Sequence, residues 1–138
     1  HGIVIAVPIK SVGGGNTVAY LNGGRSPKYT PDLSCAYELI IAIANEGGTD
    51  AVMNAARAAG ARGGTVLHGK GTGAKGAPKF YNISIAAEKE VILIVSAAGQ
   101  KAEIMRSILK KAGPDTPAKA IAFSLPTSEV AGFGFFDS

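Results

Sequence analysis

The chain has 138 residues, 46% of them apolar and 17% charged, with a net charge of +4 from 14 basic and 10 acidic side chains. That length suits one main compact domain burying about two-thirds of its unfolded surface, and the 19 glycines are the one marked compositional excess. Apolar runs such as residues 39–44 and 91–98 fall far below the roughly 20 residues that span a bilayer, and no basic-then-apolar signal opens the chain.

A soluble, cytoplasmic protein without membrane insertion is therefore the expectation. The single cysteine, Cys35, excludes an internal disulfide framework and suits a reducing compartment. Arg57, Arg62, Lys70, Lys75 and Lys79 gather in one stretch, which would suit a phosphorylated or carboxylated ligand, although solvated surface charge is the better account of most of them. No denser basic stripe with exposed aromatics exists and Trp is absent, so nucleic acid is not an expected partner.

Residues 1–9 are rich in β-branched side chains and read as a buried strand limited by Pro8. Residues 1–14 also repeat residues 119–132 without a gap: Ile3/Ile121, Pro8/Pro126, Val12/Val130 and Gly14/Gly132 recur in register. A strand-and-exit unit occurring twice indicates duplicated structural units, with chance resemblance between two short apolar strands as the alternative. The chain then reads as the C-terminal part of a longer tandem protein. Residues 15–34 hold Asn22-Gly23-Gly24, Pro27 and Pro31 and are expected to be a linker.

The main domain, residues 35–138, is expected to begin with a strand over 38–44, a continuous apolar run ended by Gly47-Gly48. Thr49 offers an N-cap for a helix over about 50–59, with Asp50 favouring the helix dipole and Gly60 stopping it. A second strand follows over 65–68. The same order then returns: strand 90–95, helix 100–112, and a stop at Gly113-Pro114. Glu38/Glu90, Val52/Ile104, Met53/Met105 and Ala56/Ile108 all differ by 52 positions, so two βαβ units are present. Two such units with right-handed crossovers predict an α+β, ferredoxin-like antiparallel sheet with helices on one face, plus an extra N-terminal strand. The strands are apolar on both faces, so the uncovered face needs a partner, and self-association is the economical one.

The chemistry is expected in residues 69–79, Gly69-Lys70-Gly71-Thr72-Gly73-Ala74-Lys75-Gly76-Ala77-Pro78-Lys79. Alternating glycines let backbone N–H groups converge on an anion, with Thr72, Lys70 and Lys75 as side-chain donors. It is no P-loop, because Ala77-Pro78 follows Gly71 to Gly76 where Lys-Ser/Thr is required. It is no dinucleotide fingerprint either, since no helix opens after it. By composition alone a flexible, solvent-exposed hairpin tip is the better account of it.

Residues 58–73, with Gly63-Gly64-Thr65-Val66-Leu67-His68-Gly69-Lys70-Gly71-Thr72-Gly73 at their end, and residues 80–95 from Phe80-Tyr81-Asn82-Ile83 onward resemble the PII family of nitrogen-regulatory signalling proteins. The resemblance runs from about Glu38 to Leu125. It implies a homotrimer whose sheets line the middle, with effectors bound in clefts between subunits, and it implies that residues 69–79 are the mobile T-loop that contacts a regulated partner protein. Residues 1–14 would be the terminal strand of a preceding PII-like repeat. Thr65 matches a second-strand position near the adenine of nucleotide-binding members, Gly71 and Gly73 the glycines at the T-loop base, and Lys119 the lysine of the phosphate-binding loop. Together with Thr72 and Lys75 these form the expected ligand set for ATP, ADP, AMP or a related anionic effector.

The chain departs from the family in several places. Lys75 stands where the family carries a glutamine that helps hold metal and 2-oxoglutarate. Residues 114–118, Pro114-Asp115-Thr116-Pro117-Ala118, replace a glycine-rich anion loop, and the arginines after the last strand are missing. Tyr81 lies outside the loop, so control by nucleotidylation is not expected. No catalytic or metal-ligating set is visible. His68 has no second His or Cys near it, Cys35 has no His neighbour, and Glu38 with Glu90 reflects the duplication better than acid-base catalysis. Two alternatives to a sensor stay open at this level: an enzyme acting on a phosphorylated substrate on a ferredoxin-like scaffold, and a structural oligomerisation module.

Overall fold

The computed structural model describes residues 2–13, 36–72, 79–80, 83–84 and 87–132. They fall into two units, one of Ala36–Leu125 and one of His1–Cys35 with Pro126–Ser138.

The larger unit starts with strand β2 (Tyr37–Asn45), helix α1 (Thr49–Ala58) and strand β3 (Thr65–Gly71), and repeats the order in β6 (Ala87–Ala97), α2 (Lys101–Ala112) and β7 (Ile121–Pro126). A short ladder of β4 (Lys79–Phe80) and β5 (Ile83–Ser84) lies between. The strands form a sheet in the order β3-β6-β2-β7. The second half thus inserts its first strand beside that of the first half, the ferredoxin-like arrangement. β6 runs antiparallel to both neighbours, with Ile41↔Leu93 and Thr65↔Leu93 in register.

Period-two burial shows which face the helices cover. Ile40, Ala42 and Ala44 of β2 and Ile92 and Ile94 of β6 are buried against Val52 and Ala56 of α1 and Ile104 and Ile108 of α2. Each of the larger side chains adds about 1.5–3 kcal/mol by leaving water. The 52-residue spacing is visible in three dimensions: Val52 and Ile104, and Ala56 and Ile108, are all fully buried. Where the helices lie side by side, the Ser107 hydroxyl donates to the Ala55 carbonyl at 2.7 Å, again 52 positions apart. Gly60 leaves α1 at φ +107°, a conformation that L side chains rarely adopt, and packs on Gln100.

On the other face the alternate residues are also apolar. Leu67 of β3 and Ile121 and Phe123 of β7 are 50%, 52% and 42% exposed. That face is the one expected to need a partner.

Two local expectations are corrected. Thr49 is the first residue of α1 and not its cap; Gly48 holds the cap position and supplies no side chain. The capping acceptor comes from Glu90, on a strand 43 positions away. The second strand runs to Gly71 and not His68, because Lys70↔Glu88 and Gly71↔Ala87 continue the ladder that composition assigned to a loop.

In the smaller unit β1 (Val4–Ala6), shorter than the expected nine residues, pairs antiparallel with β8 (Glu129–Ala131). The Ser128 N–H donates to the Ala6 carbonyl at 3.0 Å. Gly132, at φ +91°, packs so close to the Gly2 carbonyl that a Cβ would sit 2.4 Å from it.

Candidate functional site

One end of the sheet gathers most of the polar chemistry. Gly69, Lys89 and Asn45 are in register across β3, β6 and β2. The row continues to the loop before β7, where the Asn45 N–H donates to the Ala118 carbonyl at 2.8 Å and its amide Nδ2 to the Pro117 carbonyl at 3.3 Å. The Lys89 ammonium donates to Asn45 Oδ1 at 2.5 Å, and its stem covers Gly71, where a Cβ would meet Lys89 Cε at 2.9 Å. A side chain at position 71 would have to displace this lysine from its path across the strand.

The loop of residues 113–119 is a compact platform. The Thr116 N–H and hydroxyl both donate to the Gly113 carbonyl, at 3.0 and 2.8 Å, and the Lys119 N–H donates to the Thr116 carbonyl at 3.1 Å. Lys119 leaves it at φ +46°, the one non-glycine residue at positive φ among the described residues. That conformation costs roughly 1 kcal/mol or more for a residue with a Cβ. Its exposed ammonium reaches the Pro114 carbonyl at 3.4 Å.

Beside this platform Glu90 closes the start of α1. Its Oε1 accepts the Gly47 N–H at 2.6 Å and the Thr49 N–H at 3.4 Å, replacing a local N-cap and placing negative charge at the positive end of the helix. The Thr49 hydroxyl holds the carboxyl below its ordinary pKa most strongly. Burial opposes it, and the two N–H groups and His68 across the ladder reinforce it. The Thr49 Oγ1 is buried and makes no hydrogen bond of good geometry, so the Gly47 and Thr49 N–H groups are the contacts that fix the carboxylate.

Of the expected ligand residues, Gly71, Thr72 and Lys119 lie at this end of the sheet. They occupy opposite edges of it, three strand spacings or about 14 Å apart, with Lys89 and Asn45 between. Thr65 lies level with Leu93 and Ile41, at mid-sheet, six residues or about 20 Å along β3 from Gly71. A single chain does not bring Thr65 to Lys119. Gly73 and Lys75 lie outside the described residues.

Sequence reasoning missed Asn45, Lys89 and Glu90 as parts of this end. Register was the available signal: once β3 is extended through Gly71, Gly69 must face Lys89, and Lys89 must face Asn45. Among the described residues no group of three His, Cys, Asp or Glu side chains could hold a metal ion, and no helix is long and apolar enough to cross a membrane.

The family model of nitrogen regulatory protein P-II matches residues 37–133. Among solved structures the chain is similar to PII of Arabidopsis thaliana bound to citrate, with 24% sequence identity, a TM-score of 0.52, and coverage of 72% of this chain and 81% of that one. This likeness concerns the fold. No curated protein matches the chain.

Proposed function

The chain belongs to the nitrogen regulatory protein P-II family, and from that premise we propose that it senses a small anionic effector, an adenine nucleotide such as ATP, ADP or AMP, and passes the occupancy to a partner protein through residues 69–79. It is a signal-transduction regulator by family, and we read it as such and not as an enzyme. Nitrogen metabolism is the process the family points to.

The observation that carries the reading is the sheet end described above. Two strands and the loop of residues 113–119 deliver Lys89, Asn45 and Lys119 to one end, and β3 leaves that same end at Gly71 and Thr72. An anion bound there would touch both a rigid platform and the root of the following segment, which is the coupling a ligand-biased loop needs. The citrate of the solved relative and the phosphates of a nucleotide share negative charge as their recognition chemistry. Because Thr65 and Lys119 of one chain stand far apart, a ligand contacted by both must lie between chains. The exposed apolar face bearing Leu67, Ile121 and Phe123 supports a homotrimer as the form that brings them together.

Calorimetry with ATP, ADP, AMP, cyclic nucleotides and citrate tests this. At least one is expected to bind, and Lys119→Ala to weaken it about tenfold or more, as loss of a charge-assisted hydrogen bond does. Absence of heat from all of them with the assembled protein would end the sensor reading.

A further inference from the structure

In the sequence repeat between the two ends of the chain, both copies contain a strand. Moved by 118 positions, β1 (Val4–Ala6) falls on residues 122–124, inside β7. Each copy is a strand followed by an exit segment: β7 then β8 in the second, β1 then residues 11–13 in the first. The strand of the first copy pairs with the exit of the second, through Val4↔Ala131, Ile5↔Val130 and Ala6↔Glu129.

Among the described residues the complementary couple is left over. β7 is the last strand of the four-stranded sheet, with β2 on one side, and residues 11–13 are exposed. Side chains tell the same story. Ile5 and Val130, which face each other, are half-buried, whereas their counterparts Phe123 and Val12 are 42% and 37% exposed. An edge strand with an exposed aromatic is a template for strand addition, and a segment related by repeat to that template's known kind of partner is the fitting occupant.

We propose that residues 11–13 of a second copy of this chain add to the outer edge of β7. Transposing the observed ladder by 118 gives the register Ala122↔Gly13, Phe123↔Val12 and Ser124↔Ser11, antiparallel, with the Lys10 N–H donating to the Ser124 carbonyl as the Ser128 N–H does to Ala6. The contact is heterologous, exit segment to strand edge, and such contacts close into rings when the rotation allows. Three residues of ladder bury far less than the roughly 1,200 Å² of a stable interface. The remaining area comes from the apolar face that Phe123 borders, with Ile121 and Leu67. The proposal rests on the self-association part of the reading above and is independent of the effector.

The test is disulfide trapping on the full chain with Cys35→Ala. V12C and F123C chains carrying different tags are co-expressed, isolated by both tags and oxidised; V12C with I121C, two residues out of register, is the control. Opposed strand residues lie within the Cα separation of about 4.4–6.8 Å that a disulfide requires. A V12C–F123C covalent dimer that outweighs the control pair is the expected result. Light scattering on the uncrosslinked parent separates the outcomes. An oligomer that traps the control pair equally, or neither pair, overturns this register and leaves self-association standing, whereas a monomer overturns both. A V12C/F123C double variant that oxidises within one chain, at monomer mass, also overturns it.

Discussion

The two βαβ halves follow one plan, yet the ends at which their helices begin are built differently. At the start of α1 the Glu90 carboxylate accepts two backbone N–H groups, and Asn45, Lys89 and the loop of residues 113–119 crowd beside it. At the start of α2 the equivalent Glu38 meets the Lys101 ammonium at 3.3 Å, and the neighbouring residues are Ala97, Ala98, Gly99 and Gln100. Antiparallel pairing of β2 with β6 explains the shared part, because each strand's glutamate is carried to the end where the other strand's helix begins: Ala44↔Glu90 and Glu38↔Ser96. The unshared part teaches more. Spacing common to both halves builds the core, and the departures from it collect at the end where Lys89, Lys119 and the loop of residues 113–119 meet.

The largest expected effect lies in what the halves share. Ile108→Ala empties a fully buried position where α2 meets the sheet and is expected to cost about 2–5 kcal/mol in denaturant unfolding. Its counterpart Ala56 is already small, so Ala56→Gly is expected to cost only about 1 kcal/mol, chiefly in helix propensity. Equal costs would mean that packing does not follow the 52-residue correspondence.

The glutamates probe what the halves do not share. Glu90→Gln keeps an acceptor but loses the charge and is expected to lower Tm at pH 7 by several degrees. Glu38→Gln is expected to change little, since its ion pair is partly solvated and worth about 0–1 kcal/mol. The pH dependence follows from the sign of the shift. Glu90 titrates below its ordinary value of 4.5 in the folded state, so its contribution is complete above that value and is lost as the pH falls through the lower, folded one. Melts from pH 7 to 3 should therefore show the wild-type advantage over Glu90→Gln shrinking on the acid side. A Glu38→Gln variant with the same acid-side behaviour would erase the distinction between the two ends.

Particular residues show how far the sequence could be read. The apolar runs of β2 and β6, the helix spacing of Ile104 and Ile108, and the 52-residue offset were all legible, because core periodicity is local information repeated twice. Fold and family followed from them and from residues 58–73 and 80–95. Capping of α1 was not legible: Thr49 is a good local candidate, but the acceptor that the backbone uses belongs to Glu90 and arrives only with the register of β6. Lys119 was singled out by resemblance, but its left-handed backbone was not foreseeable, since nothing local distinguishes a lysine held at φ +46° between the Thr116 and Ala118 hydrogen bonds around it. The β3 strand looked shorter than it is because glycine and lysine have low strand propensity, and the Lys70–Glu88 pair at 3.6 Å became visible only across the ladder. The terminal repeat was legible as a sequence pattern, while the pairing of the first copy's strand with the exit of the second is a tertiary fact.

The smallest expected effect tests the symmetry itself. Ser107 and Ala55 occupy equivalent positions of α2 and α1, and the single hydroxyl between them donates from Ser107 to the Ala55 carbonyl. Ser107→Ala removes one such bond and is expected to cost about 1 kcal/mol. If a two-fold relates the helices, the hydroxyl can be moved to the other member of the pair, and Ala55→Ser in the Ser107→Ala background should donate to the carbonyl of residue 107. The exchange is not free of strain, because Ala55 is 1% exposed and an added oxygen there must take that one acceptor or remain unpaired. The added serine either makes the equivalent bond and recovers at least half of the loss, or stays unsatisfied and deepens it. Recovery is expected, since Val52 with Ile104 and Ala56 with Ile108 are buried as matching pairs along the two helices. A double variant less stable than Ser107→Ala would show that the helices pack with a slide that the 52-residue spacing does not reveal.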